Sequence, residues 1–396
     1  MTAGIPVAVT ESHPIERPDE HAPLSAAEIA KIRLPFEEAS MLPLRCYSDP
    51  AFFQAEVVKV FRRSWLPICR TDQVAKPGDY FVRDLFNESV VLIRDRQGVL
   101  RALSNVCRHR GRRILEGSGN CSRGGKFACP YHSWVYELDG RLSGAPFMDR
   151  TAHFNTHDWR LPQLALDIWQ GFVLVNFDHR AAPVSTQLAT LDAVLAPFHM
   201  AEMKAVPFHD YPAQWNWKHT IENFSEAYHQ PPVHPTTFEP WCPAHMCRYE
   251  DVDGPYNLFW MPTANGGALP TAFPVIEGLP QTYKSTTLVV NLFPYMHFLI
   301  DPACIVWLDI DITGVQDTRN VWRLMVPPST HELPDFEERK QSFLATILPV
   351  WHEDTAACTG VATGSRSAFG EQGRLSWMEK SIYQFHNWLV DKYQAV

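Results

Sequence analysis

The chain is short of positive charge: 35 Lys and Arg stand against 44 Asp and Glu, a formal balance of −9 over 396 residues. That balance argues against a nucleic-acid partner, because phosphate binding wants a positive surface. No apolar run reaches the ~20 residues of a membrane span, so no membrane partner is expected. The opening MTAGIPVAVTESHPIERPDE lacks a basic region followed by an apolar one, so no secretory signal is visible. Internal repeats and low-complexity blocks are absent. These absences together read as a soluble, cytoplasmic protein. What is present is a globular composition, 45% hydrophobic and 20% charged, long enough for two or three domains. Nine Cys, an odd number, and 17 His point to thiols and metal ligands rather than a disulfide framework. Thirteen Trp and 32 Pro imply ordered loops and aromatic-lined surfaces rather than a helical bundle.

Residues 1–40 lack sustained periodicity and read as a flexible N-terminal arm. SDPAFFQAEVVKVFRRSW, Ser48 to Trp65, reads as an amphipathic helix with a Ser48 or Asp49 cap and Pro50 in its first turn. From Tyr80 the period becomes two. YFVRDL, SVVLIRD and VLRALSN are strands, with a hairpin turn at Asp95–Gly98. Short strands continue through FACPYHSWVYELDGRL, and GFVLVNFD is another. A helix is expected at Ser185–Phe198. Beyond it, a helix at 218–230 precedes the strands TTLVVNLF, IVWLDIDI and NVWRLMVP, and helices at about 335–347 and 376–390 close the chain. The fold class is α+β, with boundaries expected at 41–165 for a β-module with its preceding helix and 166–396 for a second domain.

Two Cys and two His stand in the β-module, in NVCRHRGRRILEGSGNCSRGGKFACPYHSW. Cys107-x-His109 is followed, after 19 residues, by Cys129-x-x-His132. Such a ligand set fits Zn or a [2Fe–2S] cluster. In a Rieske centre two thiolates hold one iron and two imidazoles the other, so each Cys/His pair must come from its own tight loop. Gly111, Gly124, Gly125 and Pro130 suit such loops. A Cys2His2 finger would instead have paired Cys followed by paired His, with a helix signal between.

CRHRG followed by CPYHSW resembles the signature of Rieske non-heme iron oxygenases, the ring-hydroxylating oxygenase α-subunit family. The interval is longer than usual there and contains Cys121, which has no partner His. The resemblance implies that Cys107, His109, Cys129 and His132 bind a [2Fe–2S] cluster shielded by Trp134. Arg108, Arg110, Arg112 and Arg113 either face an acidic electron donor or are plain solvated arginines. The family also implies an all-β Rieske domain followed by a helix-grip catalytic domain, an antiparallel sheet with helices.

QWNWKHTIENFSEAYHQPPVHP holds His229 and His234 around Pro231 and Pro232. The prolines are expected to end the helix, bringing His234 back from the following loop so that both imidazoles converge. Two His and one carboxylate make the facial triad that keeps positions open and selects Fe(II). ENFSEAYHQPPVHP resembles the family's mononuclear-iron motif, in which a carboxylate precedes the first His by three residues. That position is Glu226, for which the resemblance implies a bridge between the centres: it hydrogen-bonds His229 or its neighbour and contacts a Rieske His of an adjacent subunit. Glu222 and Asn223 match the motif as well. The third iron ligand is carried over to Asp354 in VWHEDTAACTG, with Glu353 as its competitor.

A chain with both centres is built to reduce dioxygen with electrons from outside. GSGNCSRGG does not lie between a strand and a helix, so no dinucleotide site is expected and NAD(P)H acts only indirectly, through a ferredoxin or reductase partner. The family implies a homotrimer in which the short electron route crosses between subunits. MLPLRCYSDPAFF and GRLSWMEKSIYQFHNWL are most like the members that include quaternary-amine monooxygenases. The expected function is hydroxylation or oxidative demethylation of a small organic substrate, with cis-dihydroxylation as the alternative. A bare Rieske electron carrier or a zinc-stabilised binding protein is the contrasting class. Trp215, Trp217, Trp241, Phe259, Trp260, Phe293 and Tyr295 are pocket candidates or ordinary core.

Overall fold

The computed structural model describes residues 23–121 and 124–395. It divides into two compact units, one of residues 62–186 and one joining the segment up to Phe61 with the chain from Gln187 onward. Both boundaries differ from the sequence expectation. The Pro50–Lys59 helix starts as expected, with Asp49 accepting from the Ala51 amide, but it belongs to the second unit. It buries Phe52, Phe53, Glu56 and Val57, and Phe52 packs edge-on against Tyr393 at 5.4 Å. The Ala165–Trp169 and Phe172–Asn176 strands belong instead to the first unit, because they pair with each other and with Leu66–Arg70.

Part of the expected flexible arm, residues 1–22, lies outside the described residues. The remainder is ordered. Ser25 and Glu28 form a capping box that starts an Ala26–Ile32 helix, and Leu24 and Ile32 are buried. That cap was legible in SAAE. The segment has no sustained apolar periodicity, which is why the sequence alone points to an arm.

In the first unit, Leu100–Ser104, Glu88–Arg94, Asp79–Leu85 and Ser118–Asn120 make an antiparallel sheet in that order. The expected hairpin turn is present: Asp95 Oδ1 accepts from the Gln97 and Val99 amides, and Gly98 takes φ +80°. A second small sheet, Lys126–Ala128, Val135–Glu137 and Leu142–Gly144, holds the other end of the module.

The second unit is built on seven antiparallel strands. Their order is Lys204–Ala213, Asp317–Val326, Ile305–Gly314, Met296–Ile300, Thr286–Leu292, Tyr256–Pro262 and Arg248–Tyr249. The expected 185–198 helix breaks at Leu188 into shorter pieces. The expected 218–230 helix stops at Asn223. The last two helices run Phe336–Gly364 and Lys380–Gln394. The first continues through Pro349, past the expected end at about 347. The proline forfeits one backbone hydrogen bond, while Trp351, Asp354, Cys358 and Ala362 form one buried stripe beyond it. Among the described residues no helix is long and apolar enough to cross a membrane.

Candidate metal centres

In the first unit two loops share one hydrogen-bond frame. The Gly111 amide donates to the Cys107 carbonyl at 3.0 Å, and the Cys107 amide to the Arg112 carbonyl at 2.9 Å. The Ser133 amide donates to the Cys129 carbonyl at 3.0 Å, and the Cys129 amide to the Trp134 carbonyl at 2.8 Å. Each loop closes through a left-handed residue four positions after its Cys, Gly111 at φ +68° and Ser133 at φ +58°. Gly is at ease there; Ser133 is held in a conformation that costs a non-glycine residue about 1 kcal/mol or more. Both Cys are buried, while His109 is exposed and His132 half-buried. The two imidazoles meet Nδ1 to Nδ1 at 3.1 Å. Trp134 is buried and stacks on His109 at 5.0 Å. Tyr136, fully buried, lies with its hydroxyl 3.3 Å from Cys107 Sγ and accepts from the Arg108 amide.

Thiols at the base and imidazoles at the rim match a cluster whose two irons have different ligands. A single tetrahedral ion is a poorer fit. Among the described residues, the group whose ligand atoms all lie within 4.8 Å of one another is His229, His234 and Asp354, not this one. Cys121 sits in the connecting loop, half-exposed, and its amide donates to the Gly78 carbonyl.

The second centre comes from two helical segments. Asn216 caps the Trp217–Asn223 helix. After a turn, Gln230–Val233 forms a single helical turn with Pro231 and Pro232 at its start. The prolines thus begin a turn rather than end a helix. His229 and His234 flank that turn, their rings edge to face at 5.2 Å. Asp354, on the buried stripe of the long helix, places Oδ1 3.0 Å from His234 Nε2 and 3.4 Å from His229 Nε2.

Each imidazole is fixed from behind. Glu226 Oε1 lies 2.5 Å from His229 Nδ1, and its other oxygen accepts from the His229 amide. Glu353 Oε2 lies 2.7 Å from His234 Nδ1 and accepts from Thr237 Oγ1. Glu353 is therefore a partner of His234, outside the convergent group, and Asp354 occupies the ligand position. Carboxylates behind ring nitrogens set the tautomer and leave Nε2 free for a metal. Burial works against charge on His229, but Glu226 and Asp354 overcome it and raise its pKa to about 10. Burial likewise opposes ionisation of Asp354, and the two imidazoles hold it down at about 2. The donor set, two imidazoles with one buried carboxylate, demands positive charge and fits a facial Fe(II) site.

The sequence singles out Asn223 and Trp215 without giving them partners, and it does not point to Phe224, Asn320 or Thr355. Asn223 Nδ2 donates to Asp354 Oδ1 at 3.0 Å. A small cavity is lined by Asp354, Asn223, Phe224, Asn320, Thr355 and Trp215, among others. Of the seven aromatics proposed for a pocket, Trp215 alone lines this one. Trp217, Phe259, Phe293 and Tyr295 are core, Trp241 is exposed, and Trp260 packs on Tyr283. Phe224 meets Trp322 edge-on at 5.5 Å, and Trp322 stacks on Trp351 at 4.3 Å.

Family models match both units. Residues 64–157 match the Rieske [2Fe-2S] domain, and residues 200–395 match the ring hydroxylating alpha subunit (catalytic domain). The chain belongs to the Rieske non-heme iron oxygenase α-subunit family, a [2Fe–2S] domain followed by a catalytic domain with mononuclear iron. Within that class it is similar to the carnitine monooxygenase oxygenase subunit of Escherichia coli K12, 36% identical over 201 residues, 50% of this chain and 53% of the relative. The glycine betaine monooxygenase oxygenase subunit of Chromohalobacter salexigens is 34% identical over 54% of this chain and 46% of its own length. The chain thus spans about half the length of these curated relatives. Spinacia oleracea choline monooxygenase, chloroplastic, is 26% identical over 90% of this chain and 79% of its own. The quaternary ammonium Rieske monooxygenase CntA, with an inhibitor bound, shares the fold at TM-score 0.77 and 23% identity, covering 92% and 98% of the two chains. Naphthalene 1,2-dioxygenase from Rhodococcus sp. shares it at 0.74 and 19%, covering 89% and 94%.

Proposed function

We propose that this chain is the terminal oxygenase component of a Rieske oxygenase system, which hydroxylates or oxidatively demethylates a small organic substrate. The observation that carries this reading is the convergence of His229 Nε2, His234 Nε2 and Asp354 Oδ1, each imidazole backed by its own carboxylate. Cys107, His109, Cys129 and His132 hold the [2Fe–2S] cluster; His229, His234 and Asp354 hold the mononuclear iron. When bound, the two centres supply one-electron transfer and dioxygen activation. Glu226 keeps His229 Nδ1 hydrogen-bonded and couples the centres. Asn223 orients Asp354, and Trp134 covers His109.

The relatives named for carnitine, glycine betaine and choline favour a quaternary ammonium substrate and monooxygenation. The same triad would serve cis-dihydroxylation of an arene, since the fold is shared with naphthalene 1,2-dioxygenase. Electrons come from NAD(P)H through a ferredoxin or reductase, and the active assembly is a cytoplasmic homotrimer with Glu226 at the crossing between subunits. Oxygen uptake by the iron-loaded protein, with a surrogate reductase and a panel of methylated amines and arenes, tests the reading. Substrate-dependent uptake with a demethylated or hydroxylated product is expected. Failure across the panel, with both centres loaded, contradicts it.

A further inference from the structure

One face of the seven-stranded sheet carries a row of successive cross-strand partners: Asn257, Asn291, His297, Leu308 and Trp322. Cross-strand partners point to the same side. Asn291 sets the chemistry of this row. Its Nδ2 lies 2.8 Å from Asn257 Oδ1, 3.0 Å from Ser225 Oγ and 3.1 Å from the Phe224 carbonyl. Ser225 Oγ already donates to the Ile221 carbonyl, and Asn257 Nδ2 to the Ser381 carbonyl. The backbone carbonyls therefore fix every amide in the chain, and Asn291 Oδ1, 2.7 Å from His297 Nδ1, accepts. His297 consequently carries its proton on Nδ1 and presents a bare lone pair at Nε2.

That Nε2 is buried and has no partner. Burial pushes the His297 pKa down to about 3, with Asp354 pulling the other way, so the ring is neutral. Phe224 stacks on the imidazole at 4.4 Å and lines the pocket that Asp354 lines. Asn320, in the same pocket and fully buried, has neither amide atom paired. Buried polar atoms without partners cost about 1–3 kcal/mol each. They are tolerated where a ligand completes them.

We propose that His297 Nε2 accepts a hydrogen bond from the substrate, so that the site selects an alcohol over its deoxy analogue. A carboxylate or ether oxygen in that place would set lone pair against lone pair. The Asn320 amide is available to the other polar atoms of the same molecule. The inference rests on the reading that the substrate binds beside Asp354.

The test is calorimetric binding to the iron-loaded, full-length protein, using matched pairs: carnitine with γ-butyrobetaine, choline with ethyltrimethylammonium, and benzyl alcohol with toluene. In at least one pair the alcohol is expected to bind about tenfold tighter or more. His297→Phe should bring that ratio to within about threefold of unity by weakening the alcohol alone, while His297→Gln, with an amide near the Nε2 position, keeps part of the preference. Where His297→Phe fails to fold, His297→Gln decides, its ratio expected between the wild-type value and unity. Equal affinities within every bound pair, no binding by any of the alcohols, or a preference unmoved in His297→Phe overturns the inference. Oxygen uptake on the same compounds separates the two claims: turnover of deoxy members as readily as alcohols keeps the oxygenase and removes the role of His297.

Discussion

His234 is gripped between adjacent acids of one helix: its Nδ1 lies 2.7 Å from Glu353, and its Nε2 lies 3.0 Å from Asp354. Neighbouring helical residues point about 100° apart, so two consecutive carboxylates reach opposite edges of one ring. The roles divide accordingly. Asp354→Ala should abolish mononuclear iron binding and leave the Rieske absorbance intact. Glu353→Gln should keep the iron but lower its affinity about 10–100-fold, as loss of a partner behind a ligating His does. Iron retention against a graded chelator measures both, and the reverse order would make Glu353 the ligand.

Tyr136 tunes the other centre. Its hydroxyl stands 3.3 Å from Cys107 Sγ, where it can donate to a thiolate. A hydrogen bond to a sulfur ligand favours the reduced, more negative cluster. Tyr136→Phe should lower the cluster potential by about 20–65 mV, the equivalent of one ordinary hydrogen bond for a one-electron couple. Protein-film voltammetry reads this directly.

These two sites differ in how far the sequence disclosed them. The Cys and His of the cluster lie in two short loops, so local spacing was enough. The His pair was also local, and Asp354 came only with the family pattern. What stayed hidden was set by tertiary packing. The helix expected over about 335–347 runs on through Pro349, because the buried stripe from Trp351 to Ala362 carries it onward and places Asp354. Pro231 and Pro232 are expected to end a helix, but that helix has already stopped at Asn223 and they start a new turn. Asn291 and His297 sit on strands whose residues are buried nearly throughout, so alternation could not single them out.

Beneath the iron site, Glu222 accepts from Tyr47 Oη at 2.7 Å and pairs with His386 Nε2 at 2.8 Å. Burial alone would raise its pKa, but His219 and His386 hold it at about 2, below the ordinary 4.5. A depressed carboxylate contributes stability that is full above the unfolded value and is lost as pH falls through the folded one. Glu222→Gln should therefore lower the thermal midpoint at pH 7, and the gap should narrow between about pH 4.5 and 2. A gap independent of pH would contradict this assignment.

Glu56 and Lys218 are both fully buried, 2.7 Å apart, and Glu56 also accepts from Tyr393 Oη. They tie the Pro50–Lys59 helix to the Trp217–Asn223 helix. Removing one partner leaves a bare buried charge. Glu56→Ala is expected to cost about 3–5 kcal/mol, whereas the double change Glu56→Leu with Lys218→Met should recover much of it. Chemical denaturation of the three variants measures the coupling.

The central claim is that one polypeptide holds a two-iron cluster and a separate mononuclear iron. Iron and acid-labile sulfide analysis of the reconstituted protein, with Mössbauer spectroscopy to sort the iron sites, tests it most directly. The predicted result is about three irons and two sulfides per chain, falling to two irons in Asp354→Ala, as the two ligand sets require. Zinc in place of iron, or an iron content that Asp354→Ala leaves unchanged, would contradict it.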